Sequence, residues 1–163
     1  MLKACYNCIV MREFSLHILD IVQNSAKASA SSVIIEISEG AEDKLFSFAI
    51  TDDGAGMNRD RLEFVRARVA SAVKPEVDLG ADGRGRGLGL WMLGQYCTRC
   101  GGHLEIISEA GAGTCIRASL PTDSPNRLPM GDIGATLRLL RHMHPAIEVT
   151  YITKGDNRAL ANI

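Results

Sequence analysis

Asp20 and Asn24 stand one helical turn apart in Asp20-Ile21-Val22-Gln23-Asn24, and Lys27 follows three residues later. At that spacing an amide oxygen can ligate a hard divalent cation, and a carboxylate one turn earlier can orient or deprotonate an attacking group. The ammonium can meet a phosphate as a point charge. Downstream, Asp52-Asp53-Gly54-Ala55-Gly56 carries two glycines that let backbone approach a flat ligand closely. Asp52 ends a core-facing alternation, where a carboxylate needs a donor such as the amino group of adenine. Gly83, Gly85, Gly87 and Gly89 then alternate with Arg84, Arg86 and Leu88, directly before an apolar run. Backbone amides at a helix N-terminus, with two guanidinium groups beside them, make an anion site. No GK[ST] follows these glycines and their spacing is GxGxG, so neither the P-loop nor the dinucleotide fingerprint applies. Each segment alone also reads as a solvated helix face, a turn or a linker. Their order, closed by Gly113-Thr114, points to a nucleotide.

The bulk of the chain is compatible with this. Its 163 residues suit one domain with a real core, and 46% hydrophobic with 23% charged residues is ordinary for a globular protein. Eighteen basic residues against nineteen acidic ones, net charge -1, give no electrostatic case for nucleic acid or an anionic membrane. No apolar run approaches the ~20 residues of a membrane span, and the first residues lack a secretory signal. The expected location is the cytoplasm. Five cysteines are an odd count, so reduced thiols are expected. Cys97 and Cys100 fall on the apolar side of a helix and read as core residues. A metal or iron–sulfur site shared with Cys5 and Cys8 is the competing reading.

The elements that must position these residues follow from periodicity. Residues 14 to about 30 read as a helix capped by Ser15. Val33, Ile35 and Ile37 alternate as a strand, and Phe46, Phe48 and Ile50 as a second. A short helix over 61–70 leads into a mobile loop, and 88–100 reads as an apolar helix stopped by Gly101-Gly102. Strands over 104–108 and 115–120 follow. A linker over 122–129, a helix over 133–143 and a strand through Ile147, Val149 and Tyr151 complete the chain. The polar stripe of His17, Asp20, Asn24 and Lys27 is expected to line an interior cavity.

Taken in order, the segments resemble the GHKL ATPase superfamily, and most closely the histidine-kinase catalytic domain, over residues 14–121. Asp20/Asn24 resembles its N box, Asp52/Gly54/Gly56 its G1 box, Gly85/Gly87/Gly89 its G2 box and Gly113/Thr114 its last box. The resemblance implies an α+β fold, a two-layer Bergerat α/β sandwich with a mixed, mostly antiparallel sheet and helices on one face. The expected division is an ATP-binding domain over 1–121, with 1–11 a disordered extension, followed by a linker and a helix–strand extension over 122–163. ATP would lie between the first helix, the G1 turn and a lid over 59–83. By the resemblance Asp20 is the catalytic residue, Asn24 ligates Mg²⁺, Asp52 reads adenine and Thr114 supports that contact. The nucleotide-binding set further includes Lys27, Gly54, Gly56, Met57, Arg84, Gly85, Arg86, Gly87, Leu88 and Gly89.

Two departures shape the expected function. Asp20 stands where many members carry Glu, and its shorter arm implies slow turnover. The dozen residues before the first helix leave no room for a dimerisation helix with a phosphoacceptor histidine, and His17 reads as a pocket or packing residue. The chain therefore resembles stand-alone members such as the anti-sigma factor serine kinases, which phosphorylate a regulatory partner protein. A homodimer is compatible with this. The alternative is a nucleotide-dependent switch with little or no hydrolysis.

Overall fold

Alternation builds one sheet with a buried and an open side. In β1 (Ser32–Glu39) Val33, Ile35 and Ile37 are buried, and in β2 (Leu45–Asp52) Phe46, Phe48 and Ile50 are. A computed structural model describes residues 11–40, 42–73, 78–79, 85–86, 88–154 and 161–162, with the three two-residue stretches described by backbone alone. Helix α1 (Phe14–Lys27) precedes the two strands, and α2 (Arg59–Ala70) follows them. Next come β3 (Asp78–Leu79), β4 (Gly85–Arg86), α3 (Leu88–Arg99), β5 (His103–Glu109) and β6 (Gly113–Pro121). The chain then runs through α4 (Ile133–Met143), β7 (Glu148–Lys154) and β8 (Ala161–Asn162).

The main sheet has the order β5-β6-β2-β1-β7-β8. Every pairing in it is antiparallel except β1 with β7, so the sheet is mixed and mostly antiparallel. Ile18, Ile21 and Val22 of α1, Leu93 and Cys97 of α3, and Leu137 and Leu140 of α4 join the inward residues of the strands in one core. This is the two-layer α+β sandwich the sequence implied. The opposite face, carrying Ile34, Glu36, Arg117 and Ile107, stays open.

Several local expectations change. Ser15 does not cap α1: Glu13 holds the N-cap position and makes no side-chain cap bond. The first donors of the helix are met instead by the distant chain, Phe14 N–H to the Pro129 carbonyl and Ser15 N–H to that of Met130, both 2.9 Å. Orphan amides at a helix start need acceptors, and any acceptor serves. Helix α1 also stops at Lys27, ahead of Ser29 at φ 60°. Asn58 caps α2 by accepting from the Arg61 N–H at 2.9 Å, so that helix starts before Arg61. Inside the expected loop, β3 and β4 pair antiparallel.

The residues read as a linker form a strap. Arg127 donates to both oxygens of Glu39 at 2.8 and 3.0 Å, with its guanidinium 4.9 Å from the Phe46 ring centroid. Asn126 donates to the Arg99 carbonyl at 2.9 Å, and the Leu128 N–H to the Tyr96 hydroxyl at 3.3 Å. The strap thus ties the C-terminal end of α3 to the start of α1 before β7 adds to the sheet.

His17 leaves the polar stripe altogether. It is 2% exposed, with its ring stacked on Tyr96 at 5.8 Å. Burial lowers its pKa from 6.5 to about 4. An unfolded chain takes up this proton below about pH 6.5, whereas the native imidazole resists until about 4. The stability from the neutral ring is therefore complete above pH 6.5 and lost as the pH falls towards 4, up to about 3 kcal/mol. Urea melts should show the midpoint falling between pH 7 and 5, and His17→Phe should flatten that dependence. Removing 122–163 withdraws the α1 acceptors, β7 and the α4 face together. The shortened chain should lose its cooperative thermal transition by circular dichroism, and a sharp melt near that of the whole chain would refute the strap.

Candidate functional site

Asp52 closes β2 with its carboxylate turned to the helix side and fully oriented by the protein. Oδ1 accepts from the Gly54 N–H at 2.9 Å and the Thr114 N–H at 3.2 Å. Oδ2 accepts from the Ser25 hydroxyl at 2.7 Å. A half-buried carboxylate must recover its lost hydration, and three donors from three segments do so. Each oxygen has two lone-pair directions, and Oδ2 keeps one for a ligand donor. Asp53, one residue on and opposite by strand period, accepts from the amides of Ser31 and Ser32, both at 2.8 Å. The bond from the Ser31 hydroxyl, with these two amides behind it, holds its pKa below the usual carboxylate range. The two adjacent aspartates therefore do different jobs: one faces the site, the other anchors the start of β1.

The glycines of this turn serve the protein's own backbone. A Cβ on Gly54 would lie 2.9 Å from the Ala28 carbonyl oxygen, and one on Gly56, at φ +63°, 1.9 Å from that of Glu109. Gly113, at φ +89°, likewise abuts the Asp52 carbonyl. The sequence reading gave these glycines to a flat ligand; the close approach seen among the described residues is to the protein's own backbone, at the end of α1, at Glu109 and at Asp52. The Met57 N–H donates to the Ser108 hydroxyl at 2.9 Å, and Ser108 Oγ lies 2.9 Å from Thr114 Oγ1. Ser108 and Thr114 are directly paired across β5 and β6.

Along α1, Asn24 donates its amide to Asp20 Oδ2 at 3.3 Å. Asn24 and Lys27 are exposed, and Asp20 is partly buried. The stripe is therefore open to solvent. Burial pushes the Asp20 carboxyl above its usual range, against the opposing pull of the Lys27 ammonium and the Asn24 amide. Its carboxylate lies against Gly89 near the start of α3: a Cβ there would come 1.9 Å from Asp20 Oδ2. Leu88 begins α3, and Gly85 and Arg86 form β4 by their backbone. Arg84 and Gly87 lie outside the described residues. Helix α2 docks on α3 through the Trp91 indole N–H to the Ser71 carbonyl at 2.9 Å, while Gly94 makes room for Val69.

Helix α1 thus gathers the site. Ser25 links it to Asp52, which Thr114 also reaches, and Asp20 links it to α3. Ser25 and Ser108 escaped the sequence reading. Ser25 continues the buried stripe of Ile18, Ile21 and Val22, and a hydroxyl in an apolar stripe was the available signal. Cys97 and Cys100 are buried core thiols, with that of Cys97 pushed up to about 12 by burial. Cys5 and Cys8 lie outside the described residues. Among the described residues no group of three His, Cys, Asp or Glu side chains converges to hold a metal, and no helix is long and apolar enough to cross a membrane.

Comparison with known proteins follows the same segments. The chain is 34% identical over 89 residues to the chemotaxis protein CheA of Salmonella typhimurium, covering 44% of this chain and 13% of that protein. It is 24% identical over 113 residues to an uncharacterized sensor-like histidine kinase, R01002, of Rhizobium meliloti, covering 69% of this chain and 21% of that one. The chain thus spans a small part of these curated relatives. Among solved structures, the Aquifex aeolicus MutL ATPase domain complexed with ADP aligns with a TM-score of 0.47 and 16% identity, over 94% of this chain and 65% of that one. A family profile described as histidine kinase-, DNA gyrase B-, and HSP90-like ATPase matches residues 12–124. With more than half of its length matched, from the start of α1 to the end of β6, the chain belongs to this ATPase family.

Proposed function

We propose that this protein binds Mg-ATP and transfers the γ-phosphoryl group to a serine of a regulatory partner protein. The observation that carries the reading is Asp52: a carboxylate fixed by Ser25, Gly54 and Thr114 with a lone pair still free for the amino group of adenine. The residues also fit magnesium. Asn24 uses its amide nitrogen on Asp20, which leaves its carbonyl oxygen, the atom a hard cation prefers, without a protein partner among the described residues. Bound there, the ion would neutralise phosphate charge. Lys27 is exposed beside Asp20 and would meet a phosphate. The glycine-rich segment before α3, with Arg84 and Arg86, would clamp the others.

Asp20 would take the proton of the incoming serine hydroxyl. The new bond forms between that oxygen and the γ-phosphorus, the bond from the γ-phosphorus to the bridging oxygen breaks, and ADP leaves. The raised pKa of Asp20 suits a base, since basicity rises with pKa. A switch that hydrolyses slowly or not at all is the second reading. It is favoured by the engagement of that same carboxylate, bonded to Asn24 and packed against Gly89.

Titration of ATP separates the roles. Asp52→Asn turns an amide donor toward adenine and should weaken binding by roughly 10–100-fold with or without magnesium. Ser25→Ala should cost about fivefold through the loosened carboxylate. Asn24→Ala should remove only the magnesium-dependent part of the affinity. Three unchanged affinities would sink the pocket. ADP formation from Mg-ATP should fall at least ~100-fold in Asp20→Asn if Asp20 is the base. Persistent turnover in that variant assigns the proton elsewhere, and tight binding without turnover in either protein favours the switch.

A further inference from the structure

We infer that the open face of the sheet is a self-association surface, where two copies stack face to face about a two-fold axis parallel to β2. Register fixes what this face presents. Ser47, Ala49 and Thr51 point outward along β2, the third strand of the order β5-β6-β2-β1-β7-β8. Ala49 is paired with Glu36 on β1 to one side and with Arg117 on β6 to the other. The centre line is therefore small and neutral, with a carboxylate and a guanidinium at equal distances from it. Exposed Ile34 and Ile107 lie on the same face, 38% and 40% accessible. Stacking would cover both, each over a strand on the far side of the partner's midline.

Charge selects the geometry. Aligned sheets stack about 10 Å apart, which a glutamate and an arginine reaching toward each other can bridge. An axis parallel to β2 lays Glu36 of one copy over Arg117 of the other, twice, because a two-fold interface repeats each contact. An axis across the strands would instead lay Glu36 on Glu36 and Arg117 on Arg117. Like charges facing each other exclude that second arrangement. Each group already has a partner in its own chain, Glu36 with Lys154 at 3.5 Å and Arg117 with Glu105 at 2.7 Å. Stacking therefore extends two pairs into two alternating clusters and strands no charge.

The middle of the face is a shallow concavity of about 350 Å³. Ser38, Ser47 and Ser119 lie side by side across β1, β2 and β6 in it, and their hydroxyls have no partner among the described residues. Closed between two copies, this space would hold water bonded to those hydroxyls. Five strands about 4.8 Å apart, each seven residues at about 3.3 Å, give a footprint on the order of 550 Å². Side-chain relief brings that near the ~800 Å² per partner of a standard interface.

Charge reversal tests this on the full chain. Arg117→Glu leaves only carboxylates at the two contacts, and Glu36→Arg leaves only cations. Sedimentation velocity and light scattering should find a dimer of the unaltered protein and monomers of each variant alone. An equimolar mixture of the two variants should dimerise again, because each then meets its opposite across the axis. The mixture excludes a fold defect: Arg117→Glu sits beside Glu105 and Glu36→Arg beside Lys154 in their own chains, and mixing relieves neither. An unaltered protein monomeric up to ~100 μM, variants as dimeric as the parent, or a mixture that stays monomeric would each overturn the inference.

Discussion

A carboxylate at the end of a core strand is the constraint around which this molecule is arranged. A half-buried carboxylate needs donors, and those of Asp52 come from α1, from the turn after β2 and from β6. None of these belongs to the same element, so satisfying one side chain fixes three segments relative to one another. Gly54, Gly56 and Gly113 follow from that requirement, because any side chain there would push the turn off its neighbours. The three donors leave Oδ2 one further lone-pair direction.

Helix α1 transmits the arrangement to both ends of the fold. Its C-terminal half holds Asn24 and Ser25 over the site, its middle presents Asp20 to α3, and its first turn is completed by the strap. One helix thus carries a solvent-facing polar edge, a core face and a terminus closed by chain that follows β6. His17 shows how closely these functions are packed: one turn before Asp20, it is wholly a core residue.

Much of this was legible in the sequence, and the limits have physical causes. Strict alternation in 33–37 and 46–50 fixed which faces are buried, and Asp52 stood out because it broke the apolar series on the inner face. Asp53 was given no role from the sequence, and its hold on Ser31 and Ser32 is visible only in the structure. The cap of α1 was not legible, since its acceptors are carbonyls of Pro129 and Met130 and backbone groups carry no sequence signature. Ser25 gave only a faint signal, a hydroxyl in an apolar stripe, and it is its donation to a strand carboxylate that makes it part of the site. His17 obeyed the spacing of the polar stripe yet turned inward, because an aromatic ring beside Phe14 and Tyr96 gains more from packing than from water. The parallel pairing of β7 with β1 also lies beyond periodicity, which describes a strand but not its neighbour.

That pairing bears on how the chain comes to fold as it is made. Helix α1 and strand β1 leave the ribosome before the carbonyls that complete the helix and before the strand that covers the edge of β1. Until then the nascent chain carries a row of unpaired backbone groups along Val33–Ile37 and an unfinished helix start, the kind of surface on which stray strands assemble. Synthesis therefore makes the helix that carries Ser25 to Asp52 before the segment that secures it. A later-made strand decides when an earlier-made helix and strand become permanent.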